Sequence, residues 1–280
     1  MPRIFVATEA IAAGALTRRD LTRSYAKIHR NVYARADVQL SALDRAYAAW
    51  LWSGRGGTLV GHSAAALLGS KYIPADLPAE LAHSRRGVPK GITIRSMHIR
   101  DDELRTVNEI QCTTAARTAY DLGRSVPGDL AVIRIDQLLN ATRCPVADVT
   151  SIAVRYPGAR GIRRLHAALD LVDGGAESPQ ETRLRLLLVR SGFPRPVTQI
   201  PVRDQWGDVK RRIDLGWPDK MVGVEYDGEQ HFKNPDDYAK DIMRLEFLAN
   251  LGWTIVRVSS RQLRYERSAI VRRVARARGE

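Results

Sequence analysis

Three carboxylates in the last third of the chain have the types and spacing to act together. Asp214 lies in VKRRIDLGW, and Glu225 and Asp227 lie in MVGVEYD. Both segments read as strands, joined by the short turn PDK, which places them side by side. Side chains alternate along a strand, so Val222, Val224 and Tyr226 face one way and Glu225 and Asp227 the other. Asp214, flanked by Ile213 and Leu215, is expected to project opposite its apolar neighbours onto the same acid face. Three acids beside an apolar sheet repel one another and resist desolvation unless a cation neutralises them or water reaches them. Oxygen-only ligands suit Mg²⁺ or Mn²⁺. Such an ion can grip a phosphate, acidify a water and stabilise a leaving oxygen, which is the chemistry of metal-dependent phosphodiester hydrolysis. A solvated acid face serving only solubility is the alternative.

Other groups could join this site. Glu181 can reach from a helix toward the sheet as a fourth ligand or catalytic acid, but Ser178-Pro-Gln-Glu181 is also a capping-box pattern. His231 follows the acid strand and either acts as a base that orients water or is a loop histidine without a role. Asp241 and Arg244 have the spacing of a surface helix pair. Arg257, Arg261, Arg264, Arg267, Arg272, Arg273, Arg276 and Arg278 either bind backbone phosphates or form a solvated face.

The elements carrying these residues follow from pattern. Ser178 as N-cap and Pro179 at the first helical position start a helix with a Leu184, Leu187, Leu188 stripe, closed near Ser191 by Gly192. Three strands follow, then a helix over about 236–251, a strand over 254–258 and a basic helix from about Glu266. Asp173-Gly-Gly-Ala-Glu-Ser-Pro179 reads as a boundary, dividing the chain into 1–172 and 173–280.

Upstream, residues 1 to about 37 read as a helical segment, a second helix begun by Thr17 and Asp20, and an extended IHRNVYA stretch. A winged helix over about 1–60 would look like this, offering Arg18, Arg19, Arg23 and Arg30 to phosphates; a small helical cap would look similar. Helices are expected over 41–53, 62–68, 114–122 and 130–142, and strands over 79–83 and 91–98. His62 beside Ser63 lacks an assignable third group and reads as a packed or capping histidine.

The 280 residues carry 44 Lys and Arg against 31 Asp and Glu, a formal charge of +13 that favours a polyanionic partner such as nucleic acid. Cys112 and Cys144 lack metal-ligand spacing and fit a reduced, cytoplasmic setting. No apolar run approaches the roughly 18 residues of a membrane span, so no membrane partner is expected.

The linked set Glu177-Ser-Pro-Gln-Glu-Thr-Arg-Leu-Arg185, Asp214, Val224-Glu-Tyr-Asp-Gly-Glu-Gln-His231, Asp241, Arg244 and Gly252-Trp-Thr-Ile-Val-Arg257 resembles the DUF559 family. That family is a branch of the PD-(D/E)XK endonuclease superfamily related to very-short-patch-repair endonucleases. The resemblance covers about 176–260. It implies an α/β domain, in an α+β chain overall, with a mixed sheet flanked by helices and a metal at Asp214 and Glu225. By the same resemblance Asp227 stands where the superfamily has lysine, and His231, or less readily Lys233 or Lys210, would replace it. Gly14 to Tyr33 and Cys112 to Leu122 more loosely resemble the AbiEi-like antitoxin and regulator family. The expected activity is a metal-dependent endonuclease acting on DNA rather than RNA; the alternative is a DNA-binding regulator with an inactive nuclease fold.

Overall fold

The computed structural model describes residues 3–84, 87–228, 243 and 245–280. The chain is α+β, with mixed sheets flanked by helices, and divides into two compact units, Met1–Val172 and Asp173–Glu280.

In the first unit, β1 (Ile4–Val6), α1 (Ala7–Ala12), α2 (Arg18–Ser24), β2 (Tyr25–His29) and β3 (Val32–Arg35) build a three-stranded sheet of order β1-β3-β2 with a helix pair. The segment read as helical from the start therefore opens with a strand: Ile4 and Phe5 are buried, and antiparallel pairing with β3 overrides their place in an apolar run. Thr17 and Asp20 close a complete capping box at the start of α2, and Ser41 and Asp44 do the same for α3 (Ala42–Trp52).

A second sheet combines β4 (Thr58–Leu59), β5 (Ala79–Ala82), β6 (Ile92–Ile94), β7 (Leu104–Val107) and β8 (Ile110–Thr113) in the order β6-β5-β4-β8-β7, with α4 (Gly61–Leu67) inserted after β4. α5 (Ala115–Ser125), α6 (Gly128–Thr142), α7 (Val146–Arg155) and α8 (Ile162–Leu169) follow. α8 is the helical run expected to end before the Asp173-Gly-Gly boundary, whereas α7 had no counterpart in the sequence reading.

A buried charge cluster at Glu80 helps tie this unit together. Glu80 Oε2 accepts the His62 backbone N–H at 2.7 Å and lies 3.1 Å from His62 Nδ1, while Oε1 accepts both Nε and Nη2 of Arg95. His62 is thus a capping partner of Glu80. Burial alone would raise the Glu80 carboxyl, but the His62 and Arg95 bonds outweigh it and hold it down at about 2. A depressed carboxyl stabilises the fold above its ordinary value of 4.5, and that stabilisation is lost as pH falls through about 2. Glu80→Gln is therefore expected to cost about 3 kcal/mol at neutral pH. Urea unfolding of both proteins between pH 7 and 2 checks this, the gap shrinking below pH 4.5.

The second unit begins with α9 (Pro179–Arg190), followed by β9 (Val197–Arg203), β10 (Val209–Trp217) and β11 (Val222–Asp227), a run of antiparallel hairpins. β12 (Thr254–Ser259) returns parallel to β11, completing the order β12-β11-β10-β9, and α10 (Ser260–Tyr265) and α11 (Arg267–Arg278) follow. Residues 245–250 are helical. Leu184, Leu188, Leu215, Trp217, Val222, Val224, Val256, Val258, Ile270 and Val274 form one apolar cluster. Ile200, Val202, Ile213 and Leu248, with Phe247, Trp253 and Ile255, form another. Gly223 lies where Ile213 and Ile255 close over the sheet, each about to meet any added Cβ at 2.7 Å, so a side chain there would force these strands apart.

Candidate active site

The acids sit where the central hairpin meets the parallel strand. β10 and β11 pair Trp217 with Val222, Gly216 with Gly223 and Leu215 with Val224, and Asp214 and Glu225 are the residues next beyond the last of these pairs. On the other edge of β11 the parallel register sets Arg257 opposite Glu225 and Ser259 opposite Asp227. Asp214, Glu225 and Arg257 thus lie on three adjacent strands.

The alternation argued for Asp214 does not hold. Leu215 belongs to the Val222 and Val224 cluster, whereas Ile213 packs with Ile200 and against the Gly223 face. The two neighbours of Asp214 therefore lie on opposite sides of the sheet, and the strand turns over at the acid itself. Gln199, which the flanking pairs Ile200–Ile213 and Thr198–Leu215 set across from Asp214, has a positive φ of 51°. Both strands are irregular at this step. The Asp214 carboxylate fills the gap: its Oδ2 accepts the backbone N–H of Tyr226 at 2.8 Å. That bond fixes the acid next to Glu225, which is only 4% exposed.

Asp227 is engaged differently. Its Oδ2 accepts from Arg257 Nη2 at 2.5 Å, and the two side chains are 17% and 27% exposed. Among the described residues no group of three His, Cys, Asp or Glu side chains is placed to hold a metal ion. The expected triad of Asp214, Glu225 and Asp227 is therefore not assembled. Residues two apart on a strand are separated by about 6.6 Å, and Arg257 draws the second acid aside. Two hard carboxylates still suit Mg²⁺ or Mn²⁺, because Mg²⁺ commonly takes one or two protein carboxylates and fills its remaining positions with substrate oxygens and water.

Glu181 is buried and performs its capping role with a shifted target: its Oε2 accepts the backbone N–H of Glu177 at 2.9 Å, while its own N–H donates to Ser178 Oγ. The same Oε2 accepts from Gln199 Nε2 at 3.1 Å, so Glu181 braces the irregular step opposite Asp214. Glu181→Gln retains an acceptor and is expected to change stability and cleavage little, whereas Glu181→Ala should cost about 1 to 2 kcal/mol. Urea unfolding and a cleavage assay on both variants check this; a loss of activity in Glu181→Gln as large as in a Glu225 variant would make Glu181 a ligand.

The remaining residues divide by surroundings. Arg257 is tied to Asp227, and its backbone carbonyl accepts from Arg273 Nη2 at 2.9 Å. Arg278 is buried over the Trp217 ring at 4.3 Å and paired with Glu280. These three of the arginine series serve the fold, because each found a carboxylate, carbonyl or ring within the unit. Arg261, Arg264, Arg272 and Arg276 are exposed, with Arg261 3.7 Å from Glu266 and Arg264 over Tyr265. Arg18 and Arg19 are exposed on the first turn of α2. Lys210 pairs with Asp204 and Asp208 within the β9–β10 hairpin. His231, Lys233, Asp241 and Arg244 lie outside the described residues. The sequence reading overlooked Gln199 and the wholly buried Arg185. An arginine set between Leu184 and Leu186 is a signal for burial, whereas a positive φ at glutamine leaves none.

Residues 197–277 match the restriction-endonuclease-like family REase_MTES_1575. The REase_MTES_1575 match spans β9 through most of α11 and so contains Asp214, Glu225, Asp227 and Arg257, while α9 and Glu181 precede it. Two uncharacterised proteins of Mycobacterium tuberculosis, from strains CDC 1551 / Oshkosh and H37Rv, are each 31% identical over 173 residues. The alignment covers 62% of this chain and 64% of each relative. No solved structure matches significantly. Similarity to a restriction-endonuclease-like family points to nuclease activity on nucleic acid. No helix among the described residues is long and apolar enough to cross a membrane.

Proposed function

We propose that the chain is a metal-dependent endonuclease that hydrolyses phosphodiester bonds in DNA, with Asp214 and Glu225 as the metal ligands. What supports this reading is that Asp214 and Glu225 are the residues next beyond the last paired residues of two adjacent strands, with Asp214 bonded to the Tyr226 N–H, within the restriction-endonuclease-like segment. Mg²⁺ or Mn²⁺, when bound, would supply positive charge to a phosphodiester oxygen and to the leaving oxygen.

The chain's own groups do the positioning. The Tyr226 N–H holds the Asp214 carboxylate in place beside the residue that follows Glu225, and preorganisation of this kind would lower the barrier. Arg257 and Asp227 flank them as an internal ion pair. Exposed Arg261 and Arg264 follow β12 and would take backbone phosphates. By family resemblance His231 accepts the proton of the attacking water. In the first unit the α1–α2 pair and the β2–β3 hairpin would act as a winged-helix-like module, with Arg18 and Arg19 on phosphates.

Incubating purified protein with supercoiled, linear and single-stranded DNA and with RNA, in Mg²⁺, Mn²⁺ or EDTA, tests the reading. Metal-dependent, EDTA-sensitive cleavage of DNA is expected. Cleavage of RNA alone would change the substrate class. The capture of Asp227 by Arg257 favours a second reading, a DNA-binding regulator on an inactive nuclease fold; specific DNA binding without cleavage of any substrate would select it.

A further inference from the structure

We propose that Arg257 is a positioning residue that acts as the site's built-in second cation, holding Asp227 out of the metal's coordination shell so that the site takes a single divalent ion. This rests on the nuclease reading above. Backbone register puts Arg257 directly across from Glu225 on the neighbouring strand, where Cα atoms lie about 5 Å apart. Its Nη2 grips Asp227 Oδ2 at 2.5 Å, and its backbone is tied through Arg273 to α11. The pair is largely enclosed, at 27% and 17% exposure, so water screens it weakly.

Charge then limits occupancy. Asp214, Glu225 and Asp227 carry formal charges of −1 each and Arg257 carries +1, leaving −2, which one divalent cation cancels. A second divalent ion bound to Asp227 at about 2.1 Å would sit within a few ångströms of the guanidinium, and like charges that close in an enclosed site repel strongly. Asp227 Oδ1 is buried with no hydrogen-bond partner among the described residues. With Oδ2 held by Arg257 and Oδ1 enclosed, the Asp227 carboxylate is held as Arg257's partner. Arg257 thus acts through Asp227.

The test is Mn²⁺ titration calorimetry on the full chain, paired with plasmid cleavage kinetics, for wild type, Asp227→Asn, Arg257→Met and Arg257→Lys. Wild type is expected to bind one Mn²⁺. Asp227→Asn should keep that stoichiometry while Mn²⁺ affinity or kcat falls by about 10- to 100-fold and KM for DNA stays constant. Arg257→Met should bind Mn²⁺ more tightly or take a second ion, and Arg257→Lys should return the stoichiometry to one. Loss of the bound Mn²⁺ in a folded Asp227→Asn would make Asp227 a ligand and overturn the proposal, as would unchanged Mn²⁺ binding in a folded Arg257→Met. If Arg257→Met does not fold, Asp227→Asn alone decides. Wild type that binds Mn²⁺ and cleaves, with variants behaving otherwise than stated, sinks only this proposal; wild type that does neither sinks the nuclease reading and this proposal with it.

Discussion

Asp214→Asn and Glu225→Gln are each expected to slow metal-dependent strand cleavage on the order of 10³-fold, because in the proposed site each would remove a charged ligand and with it several kcal/mol of transition-state stabilisation. The two changes differ in what they risk structurally. Asparagine at 214 keeps a side-chain oxygen able to accept the Tyr226 N–H, so the irregular step in β10 should persist. Glutamine at 225 preserves shape in a site only 4% exposed. Thermal unfolding of both variants should therefore stay near wild type while single-turnover cleavage collapses. Equal loss of stability and activity would instead mean that the acids hold the sheet together, and unimpaired cleavage would place the chemistry elsewhere.

The largest stability effect is expected in the first unit. Glu103 is wholly enclosed and pairs with Arg117, itself 4% exposed, while the Tyr156 hydroxyl donates to its other oxygen at 2.8 Å. Arg117 also donates to Asp121 and to the carbonyl of His98, so one guanidinium joins the start of β7 to α5 and α7. Removing the Glu103 charge leaves an enclosed arginine partly uncompensated, a loss of roughly 3 to 5 kcal/mol. In a unit of this size each kcal/mol shifts the midpoint by about 2 to 4 °C. Glu103→Gln should thus lower the melting temperature of that unit by roughly 10 °C, while exposed Glu109→Gln should leave it unchanged. Asp121 makes a poorer test: burial pushes its carboxyl up despite its bonds to Arg117 and Arg124, so its charge is already disfavoured in the fold. Differential scanning calorimetry of the two glutamate variants measures the contrast.

How far such features can be read from sequence depends on the range of the interactions that create them. Helix starts are local: the Thr17/Asp20 and Ser41/Asp44 boxes and the Ser178–Pro179 entry each lie within a few residues, and all three helices begin there. The three hairpin strands β9 to β11 were legible for the same reason, being bounded by DQWGD and PDK. What alternation missed is the turn-over at Asp214, because period two assumes an unbroken ladder and here a positive φ on the neighbouring strand breaks it. The Arg257–Asp227 pair was hidden too. It depends on a parallel register set across a connection of more than twenty residues, so Arg257 read as one more surface cation. The strand at Ile4–Val6 is three residues long and needs β3 to exist, which no local pattern reports.

The central claim is that Asp214 and Glu225 together hold a divalent cation. Mn²⁺ titration of the full chain against the Asp214→Asn/Glu225→Gln double variant tests it most directly. The account predicts one saturable site in wild type and none in the folded double variant. Mn²⁺ binding of the same stoichiometry and affinity in both proteins would contradict it.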